Sequence, residues 1–232
     1  FLTPLIPGDT ACIRITYTLP SGTPGYLNAW MDFDGDGSFT DLDTVGFISL
    51  DGSDFAATRN LSLPAGPVTD NQVLACFVVP DYEGIDEFAD GSLFARFRLS
   101  CDGDLGPAGG APDGEVEDYF RPLAKVGNLV WNDYSDNGVQ DTGEPGINEV
   151  VVTLIHAGED EAFGTGDDFV STDTTGVGKN APVDGRYYFC GLLENDTSMY
   201  KILVTTPDDY LPGKADVALA SDSTDSDGLG FP

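Results

Sequence analysis

Short runs such as "CIRITYTLP", "YLNAWMDFD", "VGFISL", "QVLACFVVP" and "LFARFRLS" alternate apolar with polar side chains, and clusters of Gly, Pro, Asp and Asn separate them. A period of two puts every second side chain on the same side of an extended backbone. Each run therefore reads as a half-buried strand. No window carries the three-to-four spacing of a helical stripe. A chain patterned this way closes a core by laying sheet on sheet, and the regular turn signals favour antiparallel sandwiches. A second series, "NLVWNDY", "EVVVTLIHA", "DFVSTDT", "RYYFCGL" and "YKILVTTP", begins after "FRPLAKVGN". The expected architecture is all-β, with two tandem antiparallel β-sandwich domains over residues 1–123 and 124–232. The final "ALASDSTDSDGLGFP" reads as an acidic tail.

The acidic residues are the second constraint. With 10 Lys+Arg against 40 Asp+Glu the net charge is −30, yet 41% of residues are hydrophobic. Disordered acidic chains lack such apolar content, so the charge coexists with packed cores. Nucleic acid and anionic lipid are poor partners for this surface, and no apolar run approaches the ~18 residues of a membrane span. The stretch "DFDGDGSFTDLD" places Asp32, Asp34 and Asp36 at positions one, three and five of a calcium-loop spacing, with Gly37 sixth, the Ser38 carbonyl seventh and Asp43 twelfth. "NDYSDNGVQDTGEPG" repeats the spacing with Asp133, Ser135, Asn137, the Val139 carbonyl, Asp141 and Glu144, and Gly138 at the sixth position. Alternate residues of a tight loop point inward, and a hard cation collects six to eight oxygens there. The alternative is an Asp/Gly turn between strands, but aspartates converging at alternate positions repel one another unless a cation lies between them. Two calcium sites are expected at these loops.

Four cysteines, Cys12, Cys76, Cys101 and Cys190, lie in or beside strand-like runs without the paired spacing of a zinc site. Two disulfides in an oxidising compartment are expected, one of them crossing between the domains. Asn60 and Asn195 head acceptor triplets for glycans. The chain opens on Phe1 with no Met and no basic-then-apolar leader, so it reads as a mature or excised piece. Its apolar start, "FLTPLIP", is expected to dock on a neighbouring subunit by strand addition.

Two longer patterns resemble known families. "NAWMDFDGDGSF", then "FARFRLS", then the intact Gly114-Glu115-Val116-Glu117-Asp118-Tyr119 resembles the GEVEDY domain of secreted and surface-attached microbial proteins. The second half, from "VGNLVWNDYSDNGVQDTGEPGINEVVVTLIHAG" through "GRYYFCGLL" to "DSTDSDG", resembles an SdrD B-like repeat, a calcium-stiffened Ig-like module of stalks in bacterial adhesins. One departure is "VGKNAP" before Asp184, an apparent insertion ahead of the Gly-x-Tyr-x-Phe strand.

The resemblances imply a non-catalytic extracellular or cell-surface structural protein, a calcium-braced rod serving as filament subunit or adhesin stalk. Its partners would be copies of itself or neighbouring modules. The competing reading is a calcium-dependent polysaccharide-binding module, with glycans as partners. The second resemblance also implies a further ion site at Asp160, Asp167, Asp168 and Asp173, together with Asp225 and Asp227 of the tail, against the alternative of solvated turns. Core packing is the expected role of Trp30, Trp131, Tyr187 and Phe189, which stand at alternating strand positions. His156, the one histidine, has no nucleophile or base signature around it. Asp81, Glu83, Asp86, Glu87 and Asp90 read as a solvated loop, while Glu115, Glu117 and Asp118 are candidates to fold back toward the first acidic loop.

Overall fold

The computed structural model describes residues 1–39, 44–48, 60–81, 91–177, 183–193 and 199–214. Asp43, Glu83, Asp86, Glu87, Asp90, Asn195, Asp225, Asp227 and most of the "VGKNAP" insertion lie outside the described residues. Among those residues the elements are eleven strands: β1 (Thr10–Leu19), β2 (Gly25–Met31), β3 (Phe47–Ile48), β4 (Leu61–Leu63), β5 (Val68–Val78), β6 (Ser92–Ser100), β7 (Glu115–Val126), β8 (Val151–His156), β9 (Phe169–Thr174), β10 (Phe189–Leu193) and β11 (Tyr200–Val204). The fold is all-β and sandwich-like. No helix among them is long and apolar enough to cross a membrane.

The chain divides into two compact units. The first comprises Phe1–Lys125, Gly158–Ala162 and the segment from Cys190; the second begins at Val126. In the first unit one sheet runs in the order β1-β5-β3 and the other β10-β7-β6-β2-β4. The alternation read in β1 puts Ala11, Ile13, Tyr17 and Leu19 inside. Leu27, Ala29 and Met31 of β2, Leu93 and Ala95 of β6, and Phe47 and Phe77 are buried with them. Phe33 meets Phe77 at 6.4 Å between ring centres. Each of the Ile, Leu, Met and Phe side chains among them contributes about 1.5–3 kcal/mol by leaving water.

Cys12 stands opposite Cys76 in the β1–β5 register, and the two form a disulfide across 64 residues of sequence. By the loop-entropy argument it destabilises the unfolded chain by about 4 kcal/mol. The second expected disulfide is not formed: Cys101 and Cys190 both keep their thiols. Cys101 lies just past β6, where its amide donates to Asp113 Oδ1 at 2.9 Å, whereas Cys190 is buried within β10. Asp113 also accepts from the Cys101 thiol, which holds that thiol above and the Asp113 carboxyl below their usual ranges.

The apolar start does not reach for a neighbour. Leu2 donates to the Cys12 carbonyl at 2.9 Å and Leu5 to that of Gly191 at 2.8 Å, and Leu5 and Ile6 are buried in the first unit's own core. Burying two large aliphatic side chains outweighs leaving the arm free for another subunit.

In the second unit β8 lies between β11 and β9. Val152, Leu154 and His156 are buried on one face of it. His156 rests against Tyr200 at 4.8 Å between rings, so the single imidazole belongs to the core. Of the four aromatics assigned to packing, Trp30 and Phe189 are buried; Trp131 and Tyr187 are half-buried.

Candidate metal centre

Both acidic loops leave the sheet beside a tryptophan whose backbone pairs across the loop's mouth. Trp30 bridges to Thr44, and Trp131 to Gly146. Asp32 donates its amide to the Phe94 carbonyl at 2.9 Å, and Asn132 donates to that of Pro145 at 2.9 Å. Extended backbone thus fixes the two ends of each loop without a helix on either side.

Inside the first loop, carboxylate oxygens of Asp32, Asp34 and Asp36 come within 4.8 Å of one another. Asp32 is 3% exposed. Its Oδ1 accepts from the Asp36 amide at 3.1 Å and its Oδ2 from the Gly37 amide at 3.0 Å. Asp34 Oδ1 takes the Asp36 amide at 3.3 Å, and Asp36 Oδ1 takes both the Ser38 amide at 2.8 Å and its hydroxyl at 2.7 Å. Gly37 has φ +79°, a value that side chains with a Cβ resist. Three carboxylates this close, one nearly inaccessible to water, fit a hard cation. The loop can hold a metal ion through Asp32, Asp34 and Asp36.

The second loop brings its five oxygen-bearing side chains into one hydrogen-bonded ring. Asp133 Oδ1 accepts from the Ser135 hydroxyl at 3.1 Å and the Asn137 amide at 3.2 Å, and Oδ2 from the Gly138 amide at 2.7 Å. Asp141 Oδ2 accepts from Ser135 Oγ at 3.1 Å and Asn137 Nδ2 at 2.9 Å. Glu144 closes the ring by accepting the amides of Ser135 at 3.2 Å and Asp141 at 2.9 Å. Val139 donates its amide to Asn137 Oδ1 at 2.6 Å. Gly138 repeats the left-handed sixth position with φ +78°. Burial pushes the Asp133 carboxyl up, but the amides of Gly138, Asn137 and Asp136 with the Ser135 hydroxyl outweigh it and hold the group below its ordinary value. It is thereby kept ionised. Lys214 makes a hydrogen bond to the Asp136 carbonyl and lies 3.4 Å from its carboxylate.

The remaining acids do not assemble so. Asp167 Oδ1 accepts from the Thr165 hydroxyl at 2.8 Å, and Asp168 Oδ2 from the Gly164 amide at 2.7 Å. Asp173 instead accepts the Tyr188 amide at 3.0 Å, tying β9 to the approach to β10. Among the described residues neither these three nor Asp133, Asp141 and Glu144 close to the separation reached by Asp32, Asp34 and Asp36. Asp160 caps the amide of Ala162 at 2.9 Å. Glu115 and Glu117 lie exposed on β7. Asp118 makes a two-pronged pair with Arg96, both contacts at 2.6 Å, and that pairing keeps its carboxyl below the usual range. The Arg96 guanidinium also sits 5.4 Å from the centre of the Phe39 ring, within the first loop. Asp118 therefore approaches the loop only through Arg96, a residue with no distinguishing signal in the sequence. The Asn60 side chain is equally engaged: Nδ2 donates to Asp104 at 2.7 Å and Oδ1 accepts from Asn28 at 2.7 Å. A glycan on that nitrogen would leave a single N–H for Asp104.

Comparison with known proteins places these loops in context. The GEVED domain profile matches residues 26–121 and the SdrD B-like domain profile matches residues 124–231. Over 111 residues, 47% of this chain, it is 37% identical to serine-aspartate repeat-containing protein D of Staphylococcus aureus strain Newman. Over 96 residues, 41% of this chain, it is 35% identical to serine-aspartate repeat-containing protein F of Staphylococcus epidermidis strain ATCC 12228 / FDA PCI 1200. The matched regions span 7% and 5% of the length of those two relatives. Residues 26–121 are a GEVED domain, and residues 124–231 are an SdrD B-like domain.

Proposed function

We propose that the chain is a non-catalytic segment of an extracellular, cell-surface structural protein, an adhesin-type stalk or filament segment whose two domains are each braced by calcium. The observation that carries the reading is the pair of loops with one spacing, each anchored at both ends by backbone pairing beside a tryptophan. In the first, Asp32, Asp34, Asp36 and the Ser38 carbonyl would hold the ion; in the second, Asp133, Ser135, Asn137, the Val139 carbonyl, Asp141 and Glu144. Calcium would supply fixed positive charge at each loop. With no helix pair to swing open, binding would stiffen the domain instead of exposing a new surface. Where a loop needs the ion to close, binding free energy becomes folding free energy. The likeness of the second half to serine-aspartate repeat-containing proteins supports placement at the cell surface.

The test is calorimetry of the whole chain in millimolar calcium and after chelation, with electron microscopy of both samples. Melting transitions that fall by tens of degrees on chelation support calcium bracing; unchanged melting removes it. Fibres that dissolve on chelation would assign a filament subunit, while dispersed particles in both samples would assign a stalk segment.

A further inference from the structure

Natural sheets blunt their open edges with charge, proline or a covering element, and β7 does so only in part. From Glu115 to Arg121 every residue of the strand is exposed, although β6 pairs with it continuously from Glu115 to Pro122. On its other side lies β10, five residues long against the twelve of β7. Burial along β7 returns only from Pro122 onward, which puts β10 against that end. Among the described residues, the Glu115–Arg121 half thus keeps one backbone edge open. Parity identifies the groups on it. Leu123 donates its amide to Gly91 on the β6 side at 2.8 Å, so in the unbroken register the amides of Val116, Asp118 and Phe120 point the other way.

The side chains divide by face, although Asp118, held by Arg96, stands between Val116 and Phe120, and Arg121 shares the face of Glu115 and Glu117. Val116 and Phe120 share one face, where Phe120 packs on Phe94 at 4.9 Å between rings. These three are 50%, 57% and 48% exposed. Glu115 and Glu117 share the other face with Tyr119, and neither makes an ion pair among the described residues.

We propose that this half of β7 is a docking edge for an extended segment of another protein in which Lys or Arg alternates with apolar residues. The segment adds as a further strand and bonds to the outward amides and carbonyls. Its cations lie beside Glu115 and Glu117, and its apolar side chains lie beside Val116, Phe120 and Phe94. A second copy of this chain fits poorly, because the two edges would set carboxylates against carboxylates on a chain of net charge −30. The proposal is independent of the metal loops.

The probe is a synthetic octapeptide of alternating Lys and Val, with a Glu-Val octapeptide as control, titrated into the full chain in calcium. Amide chemical shifts and hydrogen exchange are followed. Saturable binding of the Lys-Val peptide should slow exchange at Val116, Asp118 and Phe120 by about tenfold or more. Val116→Pro removes one outward N–H and leaves the β6 ladder untouched, so it should weaken binding about tenfold. Glu115→Lys with Glu117→Lys makes no demand on the backbone and should reverse the preference toward the Glu-Val peptide. Absence of saturable binding, equal binding of both peptides by the parent chain, or affinity unchanged in both variants would overturn the proposal. So would sedimentation showing that the chain pairs with itself and that Val116→Pro abolishes the pairing.

Discussion

The loops at Asp32 and Asp133 share a spacing, a left-handed glycine at the sixth position and a tryptophan bridge at the mouth, yet they are built to different electrostatic ends. The first puts Asp at positions three and five, so three carboxylates gather within 4.8 Å around an almost inaccessible Asp32. The second puts Ser135 and Asn137 there; the Ser135 hydroxyl is shared between Asp133 and Asp141, and the Asn137 side-chain amide donates to Asp141. One loop concentrates like charge that its amide donors offset only in part; the other adds donated side-chain hydrogen bonds to its amides. On the proposed calcium reading, the two side chains at positions three and five would decide whether a loop depends on an ion for shape or only for added stability.

The comparison breaks most readily under chelation. The melting transition of the first unit should fall by on the order of tens of degrees and that of the second by clearly less, read by calorimetry of the whole chain. Exchanging Asp34→Ser and Asp36→Asn, which copies the second loop's chemistry into the first, should bring the two shifts together. A larger loss in the second unit would reverse the argument.

Truncation comes next. Asp32→Ala orphans the Gly37 amide and leaves that of Asp36 to Asp34 alone, and in calcium it should cost about 3 kcal/mol, against about 1–2 kcal/mol for Asp133→Ala at its more open loop. Denaturant titration of each variant would measure the difference.

Acid sharpens the picture further. The Asp133 carboxyl is held below its ordinary value in the folded chain, and so is that of Asp118 by Arg96. A depressed carboxyl stabilises the fold above its unfolded value, and the contribution is lost as pH falls through the folded one. Stability in chelator should therefore hold down to about pH 4 and decline below it. A decline complete by about pH 5 would show that these carboxylates are not held as described.

The smallest expected effect is that of Ser135→Ala, about 0.5–1 kcal/mol in chelator and less in calcium, where an ion would replace the hydroxyl's bridging.

Much of this was legible in the residues because it is local. Alternation in "CIRITYTLP" gives the buried Ala11, Ile13, Tyr17 and Leu19 of β1 directly. The side chains of Asp133, Ser135, Asn137, Asp141 and Glu144 meet because they stand within one turn-rich segment bounded by Asn132 and Pro145. Where the reading went astray, the deciding partner was distant. Cys101 turns to Asp113 and does not pair with Cys190. Asp173 caps Tyr188 instead of joining Asp167 and Asp168. The apolar start satisfies its own core.

The sequence by itself determined the period of two, and with it an all-β chain, the order of its two domains and the internal geometry of its acidic loops. Contacts between residues a few positions apart follow from backbone stereochemistry and side-chain reach alone. Only the tertiary structure decided that Cys12 faces Cys76, that Asp118 spends its charge on Arg96, and that half of β7 keeps an open edge. Those outcomes depend on strand order and register, which pit one distant pairing against another, and period and spacing carry no term for that competition.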